Sequence, residues 1–515
     1  MAHDPIFSLS CPSCGAKVPV YSATSALVVC EYCKSTLIRS GETAVDSGVK
    51  SALIEDFSPI QLYTSGTVHG KPFTVIGRIQ IQYERGYWNE WYAIFADGTY
   101  GWLGDFSGEY TFTSLAAPSK GLPAFKDIKA ASTSVKYAGK QFLASDVREA
   151  KSVKANAQGE LPFTLDADEP VVAADFRCRD EFITLDYSQD KNQPLIYHGK
   201  AVQLKNLHCQ NLRTDDQIIQ TAGKLRGERT PFKCPNCGAS LEWYAGIAEN
   251  IICPNCHGDI TLEQGKAKAL KIHKMRKAQI QAAALNLGEI ATINGKKWTV
   301  IGLVKIQETA SLETQEYMNN KRQRVSPDGD SWTEYLLYCP GIGFQWLVES
   351  GGSWDLSHTM PVWPKLQGNG QPEKTKPMYD YGGIVAYAAG AFYWHIEPGD
   401  ITFYRDFRAD KNKICAEITR NELNWSLSRP VTGIELATWF KLPELEKAVR
   451  NKTMRNSNLH HKTIGTIALL IFFTMNLPAY IKGLSGEDSI IIMGIISFIA
   501  FQMIRAPFLN EDEDD

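Results

Sequence analysis

Apolar residues along most of this chain alternate with polar ones or gather in short runs that end at glycine. FTVIGRIQIQY from Phe73, EWYAIFADG from Glu90, FITLDY from Phe182 and PLIYHGKAVQL from Pro194 are examples. A period of two, rich in β-branched and aromatic residues, predicts short antiparallel strands at hairpin spacing. Such strands need closure or a second layer to manage their edges, so barrels or sandwiches are expected. One stretch reads differently: Leu262 to Gly288 has the spacing of an amphipathic helix, made basic by Lys266, Lys268, Lys271, Lys274, Arg276 and Lys277. It is expected to be a solvated connector, with contact to anionic lipid or an acidic partner as the alternative.

Near the C-terminus the alternation gives way to unbroken apolar runs. Thr463 to Ile481 holds nineteen residues without a charge, close to the roughly 20 that cross a bilayer. Ser489 to Ile504 holds sixteen, reaching only about 24 Å as a helix. A two-helix membrane hairpin is expected, with one span and an interfacial segment as the alternative. Lys447, Arg450, Lys452, Arg455 and Lys462 precede the first run and Arg505 ends the second, whereas the turn carries one lysine, Lys482, against Glu487 and Asp488. Positive charge at the outer ends places both termini and the bulk of the chain in the cytoplasm, at the inner membrane. The final EDEDD reads as a solvated acidic tail.

The pattern is also duplicated. CPSCGAKVPVYSATSALVVCEYC begins at Cys11 and CPNCGASLEWYAGIAENIICPNC at Cys234, each with fifteen residues between the inner cysteines. HGKPFTVIGRIQIQY from His69 matches NGKKWTVIGLVKIQ from Asn294, and WNEWYAIFADGTYGWLGDFSGEY from Trp88 aligns without a gap to WTEYLLYCPGIGFQWLVESGGSW from Trp332. A weaker match sets RDEFITLDYS from Arg179 beside RNELNWSLSR from Arg420. A unit of cysteine module plus β domain has been copied in tandem. The boundaries that follow are a zinc ribbon at 1–40, a β domain at 50–215, a second ribbon at 229–264 and the connector helix at 265–287. A second β domain at 288–440, a basic linker at 441–462, the hairpin at 463–505 and the tail at 506–515 complete the chain. The fold class is mainly β, two zinc ribbons each followed by a small antiparallel barrel or sandwich, with a transmembrane hairpin.

Composition sharpens the chemistry. Nothing after MAHDPIFSLS resembles a secretory leader, so the cysteines are read in a reducing compartment, where C-x-x-C pairs hold metal more often than disulfides. Two Zn²⁺ sites follow, one on Cys11, Cys14, Cys30 and Cys33, the other on Cys234, Cys237, Cys253 and Cys256; a pair of disulfides, or a degenerate ribbon that has lost its metal, are the alternatives. Four thiolates close the coordination sphere, so these sites are structural and not catalytic, and His257 is a neighbour. Cys178, Cys209, Cys339 and Cys415 read as core thiols. The paired tryptophans, Trp88 with Trp332 and Trp102 with Trp346, are expected to anchor cores or to form a stacking surface. The net charge of −3 and modest charge within the modules argue against nucleic acid.

Gly70, Phe73, Val75, Gly77, Trp88, Glu90, Trp91, Trp102 and Leu103, and again Gly295, Trp298, Val300, Gly302, Trp332, Glu334, Tyr335, Trp346 and Leu347, carry a resemblance. The chain resembles bacterial zinc-ribbon membrane proteins with tandem copies of the domain of unknown function numbered 4178. The resemblance implies an accessory role near membrane-stress or polyamine-linked systems, and transfers no catalytic residue. The expected function is a membrane-anchored scaffold or interaction protein with a protein partner at the cytoplasmic face, and not an enzyme. An enzyme using Glu90, Glu181 and Asp105 with their counterparts Glu334, Glu422 and Glu349, or nucleic-acid binding through the ribbons, are the alternatives. No P-loop, G-x-S-x-G elbow or H-E-x-x-H is present.

Overall fold

The computed structural model describes residues 4–441, save positions 52, 54, 84–85, 107, 166–169, 222–231, 234–236, 239, 242–249, 253–258, 264–265, 270–282, 391 and 395. The two apolar runs, the basic linker and the acidic tail lie outside the described residues, and among the described residues no helix is long and apolar enough to cross a membrane. The chain divides into two units, Met1–Val431 and Thr432–Asp515. In the second, Gly433–Phe440 is a helix opened by a capping box: Glu435 N donates to Thr432 Oγ1, and Thr432 N donates to Glu435 Oε2.

The first unit is mainly β, as the alternation requires. Its N-terminal cysteine module pairs Phe7–Ser10 with Lys17–Val20, then adds a sheet of Leu27–Val29, Ser35–Ser40 and Thr43–Lys50. That sheet runs ten residues past the expected end of the ribbon. It joins the first β domain through one 22-residue strand, Lys140–Leu161, whose last two residues pair with Val28 and Leu27.

Each β domain is a closed barrel of eight strands. In the first the ring runs Lys71–Tyr83, Gly86–Phe95, Tyr100–Phe106, Glu109–Leu115, Leu195–Val202, Glu181–Asp186, Pro170–Cys178 and Lys140–Leu161, which returns to Lys71–Tyr83. In the second it runs Lys296–Thr309, Pro327–Cys339, Gly343–Ser350, Ser353–Thr359, Leu423–Val431, Asn412–Ile418, Ile401–Ala409 and Lys376–Gly390, again closing on its first strand. The closing seam explains the glycine of the repeated T-V-I-G. Gly77 faces Gly159 in register and Gly302 faces Gly390. A Cβ on Gly77 would lie 1.6 Å from the Glu160 carbonyl oxygen, and one on Gly390, whose φ is +97°, 2.3 Å from that of Ile301. The strands approach too closely there for any side chain. Both barrels are entered through the same tight turn, His69-Gly70 and Asn294-Gly295, with positive φ at both residues in each.

Two expectations are corrected. Lys266–Ala269 is a strand paired with Asp259–Glu263, so the basic segment does not start as a helix; positions 283–289 are not helical either, and 270–282 lie outside the described residues. Its Lys-Ala-Lys-Ala alternation has the period of a strand, and it repeats Thr43–Lys50, the third strand of the first module's sheet. The third sequence match is also displaced. Arg179 and Asp410 occupy the same hairpin turn, with φ of 59° and 54°, so Glu181–Asp186 corresponds to Asn412–Ile418. The strand that holds Arg420's match, Leu423–Val431, corresponds instead to Leu195–Val202.

Apolar cores lie on both sides of the barrel walls: Ile79, Ile81, Tyr92 and Trp102 share the inner face of the first barrel, and Ile306, Leu336 and Tyr338 that of the second. Trp91, Phe73, Leu103 and Phe112 pack on the outer face of the first barrel with Ile60 and Leu207 from the flanking segments. Phe142, Phe176, Ile183 and Leu185 do the same beneath Ile128 and Val135. The two barrels also touch: Val147 N donates to the Asn421 carbonyl, Trp363 N to that of Arg179, and Phe57 packs on Tyr338 and Phe344 of the second barrel.

Candidate functional site

Cys11 and Cys14 lie in the turn that joins Phe7–Ser10 to Lys17–Val20, and Cys30 and Cys33 in the turn between Leu27–Val29 and Ser35–Ser40. The two turns face each other, so that the four sulfurs lie within 4.8 Å of one another. Cys11 Sγ stands 3.6 Å from Cys33 Sγ and Cys14 Sγ 3.7 Å from Cys30 Sγ. A disulfide needs about 2.05 Å, so these are thiols. Four thiolates at about 2.3 Å from a zinc ion form a tetrahedron with edges near 3.8 Å, which fits both spacings. Gly15 has φ of 75° after Cys14, and Gly238 has φ of 72° after Cys237. In the second module Cys237 is exposed, and Cys234, Cys253 and Cys256 lie outside the described residues. Its described pairings repeat the first module's: Lys233 opposite Ser240 mirrors Ser10 opposite Lys17, and Ile252 opposite Asp259 mirrors Val29 opposite Thr36.

Glu160 ties the first module to its barrel. Only 2% exposed, its carboxylate accepts from Tyr21 N at 2.7 Å, Ser22 N at 3.1 Å and Ser25 Oγ at 2.6 Å. Leu27 and Val29 complete the junction by packing on Ile79, Tyr92 and Trp102.

The second arrangement is inside the barrels. In both copies a tryptophan indole donates to a carboxylate two residues on, Trp88 to Glu90 at 2.9 Å and Trp332 to Glu334 at 2.7 Å. Strand parity puts these residues on the lumenal face. Two further carboxylates share the lumen at matching positions: Asp175 and Asp186 in the first barrel, Asp406 and Glu417 in the second. Glu90 sits across the ring from Asp175 and Asp186, close enough that their charges act on it. Burial, with these neighbours, pushes Glu90 up to about 7, against the pull of the Trp88 hydrogen bond. Glu417 is likewise pushed up to about 7 by burial, although Ser426 Oγ donates to it at 2.6 Å; Glu334 and Asp406 add to the rise.

The two lumens neutralise this charge differently. In the first, Arg148 holds Asp146 and Glu422, the latter at 3.4 Å, and lies 4.3 Å from the centre of the Tyr83 ring. Arg177 reaches across to Glu109 at 3.9 Å. In the second, Tyr381 takes the register position of Arg148 and stacks on Tyr404 at 5.0 Å, with Trp332 edge-on to both at 5.7 Å. Lys413 lies 3.1 Å from Asp406 Oδ2.

The family model described as a domain of unknown function (DUF4178) matches residues 61–204 and again 286–433, together more than half of the chain. The chain belongs to the DUF4178 family. No curated protein matches it. Each DUF4178 match coincides with one barrel, so the closed ring is the domain. Of the six acidic candidates read from the sequence, only Glu90 and Glu334 enter the lumen of their own DUF4178 barrel. Glu181 is outside, paired with Lys140 at 2.5 Å; Glu349 is outside, accepting from the Tyr335 hydroxyl at 3.0 Å. Asp105 is buried on the outer wall beside Asp56, which pairs with Arg78 at 3.0 Å and Arg213 at 3.3 Å. Glu422 reaches the first barrel from the second. Trp102 is buried as expected of a core anchor, whereas Trp88 and Trp332 are half-buried and hold the lumenal glutamates. Among the scattered thiols, Cys339 and Cys415 are buried, Cys415 on the lumenal face opposite Asp406.

Proposed function

We propose that the protein is a binding protein in which two DUF4178 barrels present paired, carboxylate-bearing lumens to a partner at the cytoplasmic face of a membrane. The observation that carries this reading is the recurrence, in both copies, of a Trp–Glu pair and two further carboxylates inside a closed wall. An eight-stranded barrel is just wide enough to be filled by side chains or to take one small group. Filling it with charged residues costs stability that an apolar lumen would not, which favours recognition as the reason for keeping them. Zinc at Cys11, Cys14, Cys30 and Cys33, and a second zinc at Cys234, Cys237, Cys253 and Cys256, would brace the modules without taking part in chemistry. The apolar C-terminal hairpin would hold both barrels at the bilayer, where two tethered sites gain avidity for a repeated partner.

Affinity purification of the full-length protein from native membranes, compared with the Glu90→Gln, Glu334→Gln double variant, tests this reading. A partner recovered by the wild type and depleted with the variant supports it. Equal recovery from both, or none from either, overturns it.

A further inference from the structure

The first barrel carries its own cation. Arg148 fills its lumen from within, held by Asp146 and Glu422 and lying on the Tyr83 ring. The second barrel keeps the three lumenal carboxylates, Glu334, Asp406 and Glu417, but places Tyr381 where that arginine stands. Its ring joins Tyr404 and Trp332 to form an aromatic wall beside the carboxylates. Asp406 supplies an independent indication: its side chain is 2% exposed, and while Oδ2 faces Lys413 and the Tyr381 hydroxyl, its buried Oδ1 has no hydrogen-bond partner. A buried carboxylate oxygen left bare is costly unless something donates to it, and the Cys415 thiol opposite Asp406 is only a weak donor. A bare metal ion suits the site poorly. Among the described residues only the four cysteines bring three or more ligand atoms within 4.8 Å of one another, so the lumenal acids are spaced for a larger, flat or multi-atom cation.

We propose that the lumen of the second barrel binds a guanidinium group from outside the chain, seated against Tyr381, Tyr404 and Trp332 and donating to Asp406 and Glu417, in the place that Arg148 occupies in the first barrel. The planar fork of a guanidinium suits both partners, since it donates in its plane to carboxylates and stacks on aromatic faces. The group can come from a free alkylguanidinium or from an arginine side chain of a partner. This deepens the reading of the barrels as binding modules and rests on it, yet a protein partner could be captured without any lumenal cation, so the two can fail separately.

The test is calorimetric titration of zinc-loaded, full-length protein in detergent micelles with ethylguanidinium, with N-acetyl-arginine amide, and with ethylurea as the neutral isostere. The expected result is saturable binding of ethylguanidinium at one site per chain with a Kd of about 1 mM or tighter, and none of ethylurea. Binding of the arginine amide alone assigns the ligand to a partner's side chain. Asp406→Asn and Glu417→Gln should each weaken binding at least about tenfold. Tyr381→Arg, which adds a lumenal cation beside Lys413, should abolish it, while exposed Glu42→Ala leaves it unchanged. Thermal unfolding and zinc content of each variant confirm that it is folded. Absence of binding by both guanidinium probes, equal binding of ethylurea, or full binding by folded Tyr381→Arg overturns the proposal.

Discussion

Removing the Glu160 side chain should loosen the metal site without touching a cysteine. The carboxylate belongs to the barrel's closing strand, and its three donors, Tyr21 N, Ser22 N and Ser25 Oγ, belong to the loop between the two cysteine pairs. Hydrogen bonds to a charged group contribute about 1.5–3 kcal/mol each, but burial of this carboxylate, which holds its pKa above the ordinary value, takes back part of that. Glu160→Ala also leaves two backbone N–H groups under a buried junction without an acceptor. The net loss should be about 3–5 kcal/mol. A small zinc module draws most of its folding free energy from its metal, so weakening the junction should appear as faster metal loss, by about two to three orders of magnitude at 1.4 kcal/mol per factor of ten. The assay is zinc release from full-length protein into a colorimetric chelator, with exposed Glu42→Ala as the control and near-UV dichroism reporting on the barrel. Glu160→Gln, which can accept but cannot replace the charge, should fall between. If Glu160→Ala releases zinc at the wild-type rate with the barrel intact, module and barrel are not mechanically coupled and the reasoning fails.

Further outcomes are expected. Gly159→Ala, with φ of +66° and a Cβ 2.2 Å from the Ile76 carbonyl oxygen, should cost about 3 kcal/mol or more and lower Tm by about 6–12 °C, measured by thermal unfolding. Glu90 and Glu417 hold protons in the folded state that the unfolded chain releases, since both are raised from 4.5 to about 7. Stability should therefore fall as pH climbs from about 5 through 7 and level off above, and Glu90→Gln with Glu417→Gln should flatten that slope in urea titrations. Metal analysis should find two zinc ions per chain, reduced to one by Cys30→Ser; a wild-type value below two would remove the second site. Membranes washed with alkaline carbonate should retain the full chain and release a variant truncated after Lys441; release of the full chain would refute the anchor.

Strand positions and the duplication were legible because alternation and glycine punctuation are local properties. The T-V-I-G glycines marked the closing seam in each copy, although only the pairing of Gly77 with Gly159 and Gly302 with Gly390 shows why they are there. The weak third match failed because it followed residue identity, Arg-x-Glu, where the corresponding feature is a positive-φ turn that Arg179 shares with Asp410. The basic segment was read with a helical period because its lysines dominate, while Lys-Ala-Lys-Ala at its start carries the strand signal.

The lumenal site was half hidden for a physical reason. In a sheet with one buried face, the apolar side of the alternation points to the core and the polar side to water. On one side of each barrel that assignment is reversed: Phe142, Phe176 and Ile183 face outward under covering loops while Asp175 and Asp186 face the lumen, although Ile79, Ile81 and Tyr92 of other strands face inward too. On strand pattern alone Asp175, Asp186, Asp406 and Glu417 read as solvated positions. Glu90 and Glu334 stood out only because a tryptophan precedes each at a fixed spacing in both copies. Closure turns those polar faces toward one another, bringing acids from opposite strands within reach, and a barrel that arranges this twice must offset the charge twice. The first does so with Arg148 and Arg177. The second has a tyrosine in place of Arg148 and leaves Asp406 Oδ1 bare, and that difference between two copies of one domain is where the proposed division of labour lies.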